Sequence, residues 1–438
     1  MKKQRYFLLQ FLCVMAVLLA IMTQGITPWA KIKPLFGYPK EENTVPLTFK
    51  TFYDGSYQNY LTEHAKRNTG FREWWIRLYN QLLYSGFHKI SNNNVVEGED
   101  RDLFINMYLN DITGATLQQK FGSVEEAKDQ ARRHAWETVQ MMDVLRKHGT
   151  YFLYVFAPTK TSVYPEKMPQ QYRDNIADFS LEEYYIELFK EFGIPHIDLY
   201  HYFQAVGDTS RYLIYTKAAS HWSEYAVQIA ADTILKTLNE ITKYNLPSIE
   251  LLDENITTDY SDYDWELEKS MNLLLPWPRS PQPRPQYILS DTTGKDHPNL
   301  LVVGDSYFDQ IMFSCFKNAF KKWDFWQYLM NVYSSKGYWR VPFSNIPDTD
   351  NTIREADIIL GINTAPMMYN FMSGFPMKVL KLYALQEEDI LEAQELIRNN
   401  AAWYEAVVKQ AEQHHLTVEE NLRINAIYYL ENRKHRKQ

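Results

Sequence analysis

Hydrophobic and polar positions along the chain fall into blocks whose period changes. The first block is an apolar run from Tyr6 to Met22, interrupted only by Gln10 and preceded by Lys2, Lys3 and Arg5. This pattern predicts a signal anchor or transmembrane segment within residues 1–30. The stretch "TQGITPWAKIK" that follows is a poor small-x-small cleavage site, which favours an uncleaved anchor over a removed peptide. The basic flank then places the remainder outside the cytoplasm, in the periplasm or extracellular space of the cell envelope. From Thr48 to Phe87 the rhythm is helical, as in "FREWWIRLYNQLLYSGF", and predicts a helix lying on the main body. The stretch "SNNNVVEGEDRDLF" predicts a turn, a short strand and a second turn, hence a hairpin.

Four short apolar runs then end in polar or turn residues: "YFLYVFAP" from Tyr151, "IPHIDLY" from Ile194, "NLLVVGDS" from Asn299 and "ADIILGINT" from Ala356. Runs of this kind suit parallel strands buried on both faces. Helical periods occupy Val124 to Lys147, Leu181 to Phe192, Glu224 to Tyr244 and Phe308 to Lys322. Strand alternating with helix predicts an α/β fold of three layers, with a central parallel sheet between helices. Its sites belong at the carboxyl ends of the strands, where Pro158, Asp198, Ser306 and Asn363 stand on one rim. The stretch 246–298 breaks the pattern with "LLPWPRSPQPRPQ" and reads equally as a linker or as a rim beside the site. The main domain is expected over 48–375 with this insertion, followed by a helical extension over 379–438. In that extension Asn399 and Asn400 punctuate two helices, and Thr417 with Glu420 forms a capping box for a third. His414 and His415 are adjacent there and point to different faces, which argues against a metal site.

Composition narrows the functional classes. The 438 residues carry 46 basic and 54 acidic side chains, a net charge of -8 that disfavours a nucleic-acid partner. Aromatic residues make up 15% of the chain, including 32 Tyr and 11 Trp, which suits cores and also sugar-facing grooves. Cys13 lies in the apolar run and Cys315 stands alone in the exported part, so no disulfide forms there. With 16 Gly, no phosphate-loop or dinucleotide fingerprint and no zinc-spaced Cys or His, no cofactor and no metal is expected.

Candidate chemistry centres on "LLVVGDSYFDQ", Leu300 to Gln310. A strand running into Gly304-Asp305-Ser306 and then a helix exposes a serine beside free backbone N–H groups, the arrangement an acyl-transfer nucleophile needs. The same residues also fit a helix N-cap, with Asp309 three positions on. Gly304 reads as a point of close backbone approach, and Asp305 as an acceptor that fixes the turn. A serine nucleophile needs a base. His221 in "YTKAASHWSEYA" stands where a small-residue loop meets a helix; it reads as that base or as a packing residue, and Trp222 beside it as a wall of the site. Asn363 reads as an oxyanion or substrate donor or as a turn residue. Lys160 and Tyr164 are substrate-facing candidates or packing residues.

The block Gly304-Asp305-Ser306, the upstream pair His221-Trp222, "FAPTKTSVYPEKMP" from Phe156, "NTGFREWWIRLYNQLLY" and "GEDRDLF" together resemble the SGNH-hydrolase-like domain of the alginate O-acetyltransferase family, over roughly Phe52 to Asn370. The resemblance implies an exported O-acetyltransferase or acetylesterase acting on a cell-surface or secreted polysaccharide through an acyl-enzyme. Ser306 would carry the acyl group and His221 would be the general base. It also implies a membrane-bound O-acyltransferase as the partner that donates acetyl. The family's orienting Asp stands two residues before the His, and here that position is Ala219. Either another acid such as Asp198 orients His221, or a backbone carbonyl does so, or the chain is a catalytically impaired carbohydrate-binding or assembly component.

Overall fold

The computed structural model describes the chain apart from residues 1, 28, 31, 38–43, 208, 291, 385–386, 415–416 and 437–438. A mixed sheet of seven strands forms its centre: β1 (Tyr151–Ala157), β2 (His196–Asp198), β3 (Leu300–Gly304), β4 (Trp323–Gln327), β5 (Asn331–Ser334), β6 (Val341–Pro342) and β7 (Ile358–Thr364). Their order is β6-β5-β4-β3-β7-β1-β2. The pairs from β4 to β2 are parallel, and β5 and β6 add antiparallel at one edge.

The sheet sorts alternate residues to opposite faces. Leu153, Val155, Val302, Leu360 and Ile362 join one core with α4 (Glu224–Ile241), while Phe152, Tyr154, Phe156, Leu301 and Val303 join the other with α1 (Val124–Lys147) and α2 (Leu181–Glu191). The α1 helix presents Ala127, Ala131 and Ala135, then Thr138, Met141 and Leu145, as a buried stripe at helical spacing. Its start is fixed by Ser123, whose hydroxyl accepts from the Glu126 N–H. These layers make the three-layer α/β/α arrangement that the alternation of runs implies.

The hairpin expected before the sheet is present, pairing Val95–Glu97 with Leu103–Ile105. The single helix expected between Thr48 and Phe87 is three helices, Phe49–Tyr53, Ser56–Arg67 and Arg72–Phe87. They break at Gly55 and at Phe71, both with positive φ. The strand read from Ile194 shortens to His196–Asp198, because the Asp198 carboxylate accepts from the His201 N–H and starts α3 (Leu199–Val206). The helix read as Phe308 to Lys322 stops at Phe313. Beyond α6 (Tyr307–Phe313), the Ser314 hydroxyl accepts from the Phe316 N–H and opens a short 3-10 turn, Cys315–Ala319.

At the N-terminus, Lys2–Ile26 is one helix, and Tyr6–Ile26 is long and apolar enough to cross a membrane, with its side chains largely exposed. At the C-terminus, helices Glu387–Arg398, Ala401–His414 and Val418–Arg436 bury Ile390, Ile397, Val407 and Leu422 in a cluster of their own. Thr417 and Glu420 make the expected reciprocal cap. His415 lies outside the described residues.

Candidate active site

Three backbone devices bring the site together at the carboxyl ends of β3 and β7. A Cβ on Gly304 would sit 2.4 Å from the Ile362 carbonyl oxygen, so only glycine lets β3 end this close to its neighbour. Asp305 is buried and locks the turn, one carboxylate oxygen accepting from the Thr364 N–H (2.7 Å) and hydroxyl (2.9 Å), the other from the Tyr307 N–H (3.0 Å). Burial raises the Asp305 pKa, and these donors act against that rise. Ser306 occupies the N-cap position of α6, but its side chain makes no cap hydrogen bond. The hydroxyl is thereby left to other partners.

Those partners are His221 and Tyr328. His221 Nε2 lies 2.8 Å from Ser306 Oγ, and the Tyr328 hydroxyl donates to the same oxygen at 3.1 Å. The Ser306 N–H donates to the Tyr328 hydroxyl at 3.2 Å, so the phenol stands beside both the nucleophile candidate and its backbone donor. Burial pushes the Tyr328 pKa up to about 12, which keeps the phenol protonated near neutrality.

His221 is positioned from two sides. Two residues on, Ser223 caps α4, and its hydroxyl also donates to the Leu213 carbonyl at 2.7 Å, which folds the preceding loop back on itself. From the other side comes Glu266, the first residue of α5 (Glu266–Met271) in the proline-rich insertion. Its Oε1 stands 3.0 Å from His221 Nδ1 and also accepts from the Ser220 N–H (2.7 Å), the Ser220 hydroxyl (2.8 Å) and the His221 N–H (3.0 Å). The insertion is sewn to the loop by its backbone as well: the Leu267 N–H donates to the Ala218 carbonyl at 3.0 Å, and the Thr216 hydroxyl donates to the Asp264 carbonyl. The Tyr307 hydroxyl adds a bond to the Ser220 carbonyl at 2.8 Å.

Burial opposes a charge on His221. The Glu266 hydrogen bond and charge, helped by Asp309 and Asp305, outweigh it and hold the imidazole pKa above its ordinary value. The His221 side chain remains 16% exposed, so the ring is dry on most sides and open on one. Asp309 itself is pushed up to about 6 by burial; it accepts from Gln327 at 2.9 Å and from the Tyr263 hydroxyl at 3.3 Å.

The remaining sequence candidates fall elsewhere. Asp198 caps α3 and pairs with His201 at 2.7 Å; the carboxylate on His221 belongs to Glu266 instead. Ala219 is fully buried in the loop. Trp222 does not wall the site: it is fully buried behind it, packed on Tyr307 (5.1 Å between rings) and Phe203 (6.4 Å). Lys160 does not face an opening either. Its ammonium is buried among the Leu103 (3.0 Å), Thr216 (2.8 Å) and Lys217 (3.1 Å) carbonyls and Asp102 (2.9 Å), where it clamps the hairpin to the loop that carries His221. The Tyr164 hydroxyl accepts from the buried Ile214 N–H at 3.0 Å, a second structural tie to that loop. Asn363 is buried near the end of β7, two positions beyond the Gly361 that pairs with Val303, and its amide oxygen accepts from the Tyr154 hydroxyl at 3.2 Å.

Two site residues were not read from the sequence. Glu266 lies in "DYDWELEK", an acidic, aromatic stretch without a catalytic spacing, and only the fold carries it across to His221. Tyr328 follows β4 in a tight turn closed by a Met330 N–H to Gln327 carbonyl bond of 2.9 Å. Both central residues, Tyr328 (φ 54) and Leu329 (φ 50), take the left-handed conformation that such turns normally give to Gly or Asn. The backbone thus bears strain where it aims the phenol at Ser306.

The profile of the SGNH hydrolase-like domain of the acetyltransferase AlgX matches residues 95–334, more than half of the chain. No curated protein matches significantly. Among solved structures, the O-acetyltransferase domain of Pseudomonas putida AlgJ is similar at 14% identity, covering 66% of this chain and 98% of that one, with a TM-score of 0.42. Pseudomonas aeruginosa AlgX is similar at 15% identity over 65% of this chain and 67% of its own, with a TM-score of 0.40. Bacillus cereus PatB1 bearing a sulfonyl adduct is similar at 10% identity over 64% and 99%, with a TM-score of 0.40. On the profile match, the chain belongs to the AlgX family of SGNH hydrolase-like acetyltransferase domains.

Proposed function

We propose that this chain is an extracytoplasmic, membrane-anchored O-acetyltransferase that moves acetyl groups onto a cell-surface or secreted polysaccharide through an acetyl ester on Ser306. The observation that carries this reading is the unbroken hydrogen-bond chain Glu266–His221–Ser306 at 3.0 Å and 2.8 Å. In the first half-reaction Ser306 Oγ attacks the acetyl carbonyl of the donor while His221 Nε2 takes the hydroxyl proton. The imidazolium so formed is stabilised by Glu266 at Nδ1, and its proton leaves with the donor's departing oxygen or sulfur. In the second half-reaction His221 takes the proton of a sugar hydroxyl, whose oxygen attacks the acetyl carbonyl. The sugar ester forms, and the proton returns to Ser306 Oγ.

The oxyanion of each tetrahedral intermediate needs donors; the Tyr328 hydroxyl, which donates to Oγ, and the Ser306 N–H, which donates to that hydroxyl, stand beside it and would turn to the oxyanion. The Tyr6–Ile26 helix supports anchoring, with the site on the far side of the membrane from the basic N-terminal flank. The acetyl donor is assigned to a membrane-bound O-acyltransferase partner. The alternative of an impaired binding component rested on Ala219, and Glu266 supplies the carboxylate that position lacks.

The test is incubation of the purified protein with an activated acetyl ester, read by intact mass. A gain of about one acetyl group, about 42 Da, that is lost in Ser306→Ala and His221→Ala is the expected result. Absence of the adduct and of ester turnover in the unmodified protein would overturn the reading.

A further inference from the structure

The insertion, α4 and α6 line an open cleft of about 1150 Å³ that meets the triad through Tyr263. Its walls are aromatic. Tyr263 stands edge-on to His221 (rings 5.5 Å apart, 75°) and leans on Phe313 (6.4 Å), which is 47% exposed. Tyr260, Trp265 and Tyr287 continue the lining. Gln310 projects into the same cleft from α6, one turn after Ser306, on the face of the helix that Ser306 begins. It is only 7% exposed, yet neither its amide nitrogen nor its amide oxygen has a protein partner. A buried primary amide left unpaired is destabilising, and a ligand able both to donate and to accept relieves that cost. Sugar hydroxyls do both, and the C–H face of a sugar ring packs on tyrosine and phenylalanine.

The charge of the cleft restricts which sugar fits. Among the described residues lining it, Arg284 is the only cation, and it already faces two carboxylates, Glu224 at 4.0 Å and Asp259 at 3.6 Å. Asp262, which pairs with Lys269, adds a third carboxylate to the lining. A uronate chain would bring one further carboxylate per residue into this group with no unpaired cation to meet it, whereas an uncharged chain meets no such repulsion.

We infer that this cleft binds the acceptor and that the acceptor is an uncharged glycan rather than a polyuronate, with Gln310 hydrogen-bonding the sugar seated next to Ser306. The inference rests on the acyl-transfer reading for its placement, since Tyr263 and Gln310 join the cleft to His221 and to the helix that Ser306 begins.

The test uses the full chain in detergent with two ligands that differ only in charge: a polyuronate oligosaccharide and the same oligosaccharide after reduction of its carboxyl groups to alcohols. Binding is measured by titration, and Ser306 acylation by the activated ester is scored separately without glycan. The uncharged ligand is expected to bind at least about tenfold more tightly, and Gln310→Leu and the exposed-site variant Phe313→Ala are each expected to weaken it by about tenfold. Equal or tighter binding of the polyuronate, binding of neither ligand, or indifference to both substitutions overturns the inference. If Ser306 still acylates, the acyl-transfer reading stands; if the uncharged ligand binds as expected but Ser306 does not acylate, that reading fails and the cleft assignment survives.

Discussion

His221 Nδ1 and Glu266 Oε1 lie 3.0 Å apart although 45 residues of chain separate them, and the same carboxylate oxygen collects three further hydrogen bonds from Ser220 and His221. One side chain therefore fixes both the ring and the loop that carries it. This relationship makes the proline-rich insertion part of the site rather than a connection between parts.

A pH dependence follows from it. His221 must be neutral to accept the Ser306 proton, and its pKa is raised by Glu266 against the effect of burial. Activity is expected to rise with pH through a value above the ordinary histidine range of about 6.5. In Glu266→Gln the supporting charge is gone and burial is left to lower the pKa, so the rising limb should move to lower pH while the plateau falls. A kcat/KM profile across pH checks both signs. A limb displaced upward in the variant would contradict the assignment.

Tyr328 is expected to act on the transition state rather than on binding. Tyr328→Phe keeps the ring and the strained turn but removes the donor at 3.1 Å from Ser306 Oγ. A fall in kcat of about 10²-fold, with KM changed much less, is the expected outcome for one lost oxyanion donor. Steady-state kinetics with a chromogenic acetyl ester measures the split.

Lys160 should behave as a structural residue. In Lys160→Met three carbonyls, two of them buried, lose a donor and Asp102 is left as an uncompensated buried charge. Breaking a buried pair in this way costs about 3–5 kcal/mol. Denaturant unfolding should show that loss, and any loss of activity should track the folded fraction. A variant of unchanged stability with a changed KM would return Lys160 to the substrate side.

Gly304→Ala tests the close approach of β3 and β7. The new Cβ would have to displace backbone at the Ile362 carbonyl, 2.4 Å away. A destabilisation of about 1–3 kcal/mol is expected from such overpacking, together with reduced acylation because Ser306 lies two residues on. Thermal unfolding and ester turnover on the same sample check the pair of effects.

The central strands, the three layers and the pair Ser306–His221 were legible because each has a local signature. Buried parallel strands are continuous apolar runs, and a serine after Gly-Asp at a strand end announces a turn. The strands β4 to β6 were not legible, since "WDFWQ" and "NVYS" mix aromatic and polar residues without a clean period and owe their state to pairing, the first with β3 and the second with β4. Glu266 was hidden for a related reason. A carboxylate that reaches a histidine through tertiary contact leaves no spacing in the chain, and the expected place, Ala219, gave no hint of where the replacement stood. Lys160 was misleading in the opposite sense: a lysine after a strand end reads as substrate-facing until the carbonyls that enclose it are seen.

The role of Glu266 behind His221 shows most directly in the rate at which acetyl appears on Ser306. With an activated acetyl ester and time-resolved intact mass, the unmodified chain should gain one acetyl, Ser306→Ala none, and Glu266→Gln should acylate slower by about 10²–10⁴-fold, while Asp198→Asn should match the unmodified rate. Acylation of Glu266→Gln at the full rate, or its loss in Asp198→Asn alone, would contradict the assignment of Glu266 as the carboxylate behind His221.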